Sequence, residues 1–219
     1  MRLHEFSNIS LEEGFLKNGI LSAALAASTV GAAYNIHKTT PQDAQLTSLG
    51  QSMIKDMPSV LQHKLGNVND IKFVSGIPDG GDPNAIAQVE QGSKIVYINP
   101  KYINQFKNGD ADQIVQHELT HIAQQNNIKY KNSDNPHDYE GMDNLNIWPS
   151  LQKMRNSGDT MKNHTREAQA MIVQQRVAQV HMLNNLINSN KKDNYTLNAI
   201  KLCKSHISLA DEYISDFNN

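Results

Sequence analysis

Hydrophobic and polar positions alternate along this chain in two rhythms, one helical and one extended. The stretch "PQDAQLTSLGQSMIKDMPSVLQHKL", Pro41 to Leu65, reads as helix, with a proline early in its first turn and a break or kink at Pro58. "IKFVS", Ile71 to Ser75, reads as a strand, and the following "GIPDGGDPN" is a turn cluster. "AIAQVE" and "KIVYIN", separated by "QGS", form a hairpin signal with glycine in the loop. "PKYINQFKN" predicts a short helix starting at Pro100. In "DADQIVQHELTHIAQQN", Val115, Leu119, Ile122 and Ala123 recur on one face, which predicts a half-buried helix. Asn108-Gly109 breaks the chain before it, and Asp110 with Gln113 three residues on reads as a capping box. Asn127 to Asn163 is polar and irregular, a long connection of the kind that often serves function. "TREAQAMIVQQRVAQVHMLNNLIN" and "YTLNAIKLCKSHISLADEYISDF" then predict two helices joined by a polar turn around Lys191 to Asn194. The fold class is therefore α+β, a few strands followed by a helical C-terminal part.

Length adds a division to this picture. A chain of 219 residues fits one domain with an appendage, residues 1-40 as leader and apolar segment and 41-219 as the domain. Asn18 to Ile36 is uncharged but Ala-rich and interrupted by Ser, Thr, Asn and Gly, marginal for a membrane span. It admits three readings: a secretory signal, a membrane-associating or packing helix, and a plain tail. Glu5, Glu12 and Glu13 count against the basic start that a signal needs. The leader "MRLHEFSNISLEE" resembles the short capsid-targeting leader of tailed-phage internal head proteins, which a prohead protease removes after a glutamate, here Glu12 or Glu13. That resemblance implies a virion interior or the host cell; the signal reading implies secretion, and the helix reading membrane association. With 20 basic against 22 acidic residues and a formal charge of -2, the chain has no electrostatic footprint for nucleic acid. Cys203 is the single cysteine, so there is no internal disulfide, and it reads as a buried small side chain.

The candidate chemistry lies in "HELTH". His117 and His121 stand one helical turn apart, so both imidazoles can face one metal ion at about 2.0-2.1 Å, and Glu118 can reach a water in an open position. The third ligand has several candidates: Glu167, 46 positions after His121 at the start of the next long helix; His164, one turn earlier; and His137, Asp138 and Glu140 in the polar loop. Asp79, Asp82 and Asn84 could hold calcium, but without EF-hand spacing they read as loop residues.

From Ile71 to Val177 the chain resembles the zincin superfamily of metallopeptidases in its gluzincin form. "HELTH" carries the resemblance, and "REAQA" is similar to the E-A-x-A element that supplies a glutamate ligand. The glycine and third histidine of metzincins are absent, since the run continues "HIAQQNNIKY". The resemblance implies a zincin-like fold, a small mixed sheet with a hairpin edge strand packed on the HExxH helix. It also implies Zn2+ on His117, His121 and Glu167, Glu118 as general base, and peptide-bond hydrolysis. "KIVYIN" would be the edge strand that pairs with an extended protein or peptide substrate, and Tyr130, His137, Tyr139 and His164 are candidate oxyanion donors. The alternative is a non-catalytic virion or membrane-associated structural protein that keeps a zincin-like fold.

Overall fold

The computed structural model describes residues 40–126, 128 and 147–218. The leader, the Ala-rich segment, and Tyr130, His137, Asp138, Tyr139 and Glu140 lie outside the described residues. Among the described residues, no helix is long and apolar enough to cross a membrane.

The fold is α+β, mostly helical, with one three-stranded mixed sheet. Helix α1 (Pro41–Ile54) starts at Thr40, whose hydroxyl accepts from the Asp43 N–H at 3.1 Å while Asp43 accepts from the Thr40 N–H at 3.0 Å. This reciprocal cap satisfies two backbone donors that the first turn would otherwise leave open. As expected, the chain breaks before Pro58 and resumes as α2 (Ser59–Lys64).

Strand β1 (Lys72–Ser75) runs parallel to β3 (Ile95–Ile98), and β2 (Ala87–Val89) pairs with β3 antiparallel, giving the order β1-β3-β2. The outer edge of β1 is closed by α1. Thr47 Oγ1 accepts from the Phe73 N–H at 3.0 Å and donates to the Phe73 carbonyl at 3.1 Å, and Asp43 accepts from the Ser75 N–H at 2.9 Å. Such closure leaves no exposed ladder on that side for another chain to pair with. Gly50 allows the approach: a Cβ there would stand 2.4 Å from the Phe73 ring.

Helix α3 (Ile103–Asn108) ends at Gly109, in the left-handed region at φ 80°, with the Asp110 N–H on the Gln105 carbonyl at 2.9 Å. Asp110 is thus committed to closing α3, so the capping box expected of it does not form. The next helix, α4 (Asp112–Gln124), has Ala111 at its N-cap and no side-chain cap. Nor is α4 half buried: every residue from Ile114 to Gln124 is out of water. It runs through the middle of the molecule, packed on β2, α1 and α2 and on α6 (Arg166–Asn188). Helix α5 (Ile147–Asn156) precedes α6, and α7 (Asn194–Ser215) packs along α6, burying Cys203 as expected.

Replacing Gly50 by Ala tests the approach of α1 to the sheet. Alanine is the better helix former, yet overpacking against Phe73 should cost about 1–3 kcal/mol, read as a lower denaturant midpoint. An unchanged midpoint would mean that α1 and β1 can separate freely.

A second expectation concerns His206 of α7, which stacks on Trp148 of α5 at 4.7 Å between ring centres and bonds Gln179 at 3.2 Å. Burial pushes its pKa down to about 4. The unfolded chain therefore binds a proton more readily than the folded one, so this contribution is full above pH 6.5 and is lost as pH falls toward 4. Because the ring is only half-buried, solvent screening reduces the effect, and between pH 7 and pH 5 the loss should be at most about 1 kcal/mol. Denaturation curves at both pH values, for wild type and His206→Gln, should show a smaller loss in the variant.

Candidate metal centre

Helix α4 brings His117 and His121 onto one side, one turn apart, with their rings edge to face at 86°. Thr165 caps α6 by accepting from the Ala168 N–H, which puts Glu167 in the first turn of that helix, facing α4. The three side chains converge. Nε2 of His117 and Nε2 of His121 are 3.1 Å apart, and one Glu167 oxygen lies 3.4 Å and 3.3 Å from them.

A tetrahedral ion with bonds of about 2.0–2.1 Å separates its ligand atoms by about 3.3 Å, so this triangle has the right size for one metal ion. Two imidazole nitrogens and a carboxylate oxygen suit a divalent transition metal. His117, His121 and Glu167 thus fit such an ion, and they are the only group of three or more metal-ligating side chains of this kind among the described residues. The histidine side chains are 1 % and 7 % exposed and Glu167 is 34 % exposed, so solvent reaches the triangle mainly past the carboxylate.

The two nearby carboxylates are driven in opposite directions. Burial pushes Glu118 up to about 7, against the lowering effect of the His117 charge and the Val89 N–H. Burial would raise Glu167 too, but the charges and hydrogen bonds of His121 and His117 outweigh it and hold that carboxyl well below the usual range. Glu118 is otherwise held by the sheet: its Oε2 accepts from the Val89 N–H at 2.9 Å.

That bond corrects the strand assignment. "KIVYIN" supplies β3, which is central and paired on both sides, so it cannot take up a substrate strand. The free edge is β2. The Asn99 N–H reaches the Ile86 carbonyl at 3.0 Å, and Gln88 lies opposite Tyr97, so Ala87 and Val89 turn their backbone groups outward, and the Val89 N–H meets Glu118.

His164 is not part of the triangle. Its Nε2 lies 2.7 Å from Asp159, which also accepts from the Tyr213 hydroxyl at 2.9 Å, and its ring meets Tyr213 edge to face. Glu167, not His164, is the side chain that completes the group with His117 and His121. The other proposed donors, Tyr130, His137 and Tyr139, lie outside the described residues, as do Asp138 and Glu140. The Asp82 loop behaves as a loop: Asp82 accepts from the Asn84 N–H at 2.8 Å, and its backbone is clamped by Gln88.

Two partners of the site escaped the reading of the sequence. Gln124, three residues beyond His121 on the same face, touches its ring, and that spacing was a visible signal. The Val89 N–H was not visible, because it depends on sheet register alone. No family model, curated protein or solved structure matches the chain.

Metal analysis of purified protein should find about one divalent ion per chain, with His117→Ala and Glu167→Ala each losing it and His164→Ala keeping it. Retention of full metal by Glu167→Ala would remove Glu167 from the ligand set.

Proposed function

We propose that the chain is a zinc-dependent peptidase of gluzincin type, with His117, His121 and Glu167 as ligands and Glu118 as general base. The observation that carries this reading is the placement of Glu118. It is a buried carboxylate directly after a ligand, and a metal serving structure alone has no use for it. Bound zinc supplies Lewis-acid polarisation of a carbonyl and acidifies water toward neutrality.

The rest of the chemistry falls to the chain. Val89 fixes one Glu118 oxygen, and the other makes no hydrogen bond to the described residues, free to take a proton from an attacking water. The same carboxyl then hands that proton to the departing amine nitrogen. The outward N–H and carbonyl of Ala87 and the carbonyl of Val89 suit an extended protein or peptide substrate, which would pair with β2 by strand addition while the Val89 N–H stays on Glu118. Ala87 and Val89 are only 3 % and 8 % exposed, so substrate pairs there only after this edge is uncovered.

The same burial favours a second reading, in which a closed site holds a structural metal in a non-catalytic virion or membrane-associated protein. Glu118→Gln separates the two. Glutamine still accepts from Val89, so fold and zinc content should hold while cleavage of an unstructured protein such as casein falls by roughly 10²–10⁴-fold. Equal cleavage by wild type and variant would remove Glu118 from the mechanism. Absence of cleavage in both, with zinc bound, would favour the structural reading.

A further inference from the structure

Beside the triangle lies a chain of side-chain amides whose orientation is fully determined. Gln124 Nε2 lies 2.9 Å from the Arg166 carbonyl, which can only accept, so this end of the amide must be the NH2 group. It also reaches Gln169 Oε1 at 2.9 Å, and Gln169 Nε2 in turn donates to the Met161 carbonyl at 2.9 Å. At the other end, Arg166 Nε can only donate, and it lies 3.2 Å from Gln124 Oε1. Both ends of the Gln124 amide are thus assigned by partners that have no choice of role. The same Oε1 lies 2.9 Å from His121 Nδ1. Since Oε1 can only accept, Nδ1 must carry a proton.

We propose that Gln124 is a positioning residue of the metal centre, which holds His121 with Nδ1 protonated so that the Nε2 lone pair faces the ion. Gln169 and Arg166 hold Gln124 in turn. This rests on reading His117, His121 and Glu167 as a metal site, and it extends that reading to side chains that touch no metal. His117 differs. Its Nδ1 is buried with no hydrogen-bond partner among the described residues, so nothing there selects its tautomer. Its Nε2 lies 3.1 Å from His121 Nε2, where in the metal-free protein it can serve as the donor of the pair. One ligand is therefore preset before the ion arrives, and the other adjusts to it. Outer hydrogen-bond partners of this kind commonly alter metal affinity 10- to 100-fold.

Two variants separate positioning from plain support of the fold. Gln124→Met removes both the acceptor for His121 and the donor to Arg166 and Gln169, whereas Gln124→Glu removes only the donor and keeps an acceptor for Nδ1. Both should melt below wild type. Zinc affinity, measured against a competing chelator, should fall about 10- to 100-fold in Gln124→Met and stay within about threefold in Gln124→Glu. A merely structural role would weaken zinc equally in the two variants, and that result would overturn the proposal. Imidazole 15N spectra of the zinc-free full chain at pH 8 give an independent reading: His121 Nδ1 should be protonated in wild type and in Gln124→Glu. An unprotonated Nδ1 in wild type would overturn the proposal. Failure of wild type to bind any zinc would defeat the metal reading itself, and the Nδ1 signal would still decide whether Gln124 sets the tautomer.

Discussion

A helix buried on every side can carry polar side chains only if each finds a partner, because an unsatisfied buried polar group costs about 1–3 kcal/mol. Helix α4 is under that constraint from Ile114 to Gln124, and the elements around it supply most of the partners. Gln116 donates to the Met53 carbonyl at the end of α1, at 2.9 Å. Thr120 turns back to the Gln116 carbonyl at 2.7 Å. Glu118 takes an N–H from the edge of the sheet, and Gln124 bridges to α6. Sheet, α1 and α6 are thereby keyed to α4 in one register, in addition to the apolar packing of Val115, Leu119 and Ile122.

The same constraint sharpens the electrostatics of the site. Two carboxylates approach one pair of histidines with opposite outcomes. Glu167 contacts both rings and is held ionised, as a ligand must be. Glu118 is buried beside His117 with a backbone N–H as its partner, and burial prevails. Environments that push two neighbouring acids apart are how one site assigns them different work. In the proposed reading, that division falls between holding a cation and moving a proton.

Much of this could be read in the chain before folding, because it depended on local spacing. The i, i+4 histidines, the break at Pro58, the hairpin around "QGS" and the two long C-terminal helices are short-range patterns, and the structure contains each of them. What was misread depended on which elements become neighbours. Gln116, Thr120 and Gln124 look like a solvated face until α6 and α1 cover them. Strand β3 looks like an edge until the parallel strand β1 pairs along its other side, which leaves β2 exposed to Glu118. Asp110 has the chemistry of a cap, but the preceding helix had already taken its N–H. His164 had the spacing of a ligand and was drawn away by Asp159, a residue with no motif to announce it.

That capture of His164 bears on how Glu167 comes to be in place at all. The connection between α5 and α6 has little regular structure, yet it delivers the first turn of α6 to the histidines. It is anchored to the far end of α7. Asp216 accepts from Arg155 at 2.6 Å and from the Met161 N–H at 2.9 Å, and Tyr213 and His164 both close on Asp159. The Met161 carbonyl then receives Gln169, which orients Gln124, which orients His121. An unbroken run of hydrogen bonds thus joins the C-terminal helix to a candidate ligand on the central one. A site split between two helices far apart in sequence needs such a tie, because α4 fixes its two histidines by helical geometry alone while nothing local fixes Glu167 against them. The last helix, which carries none of the three converging side chains, supplies that reference.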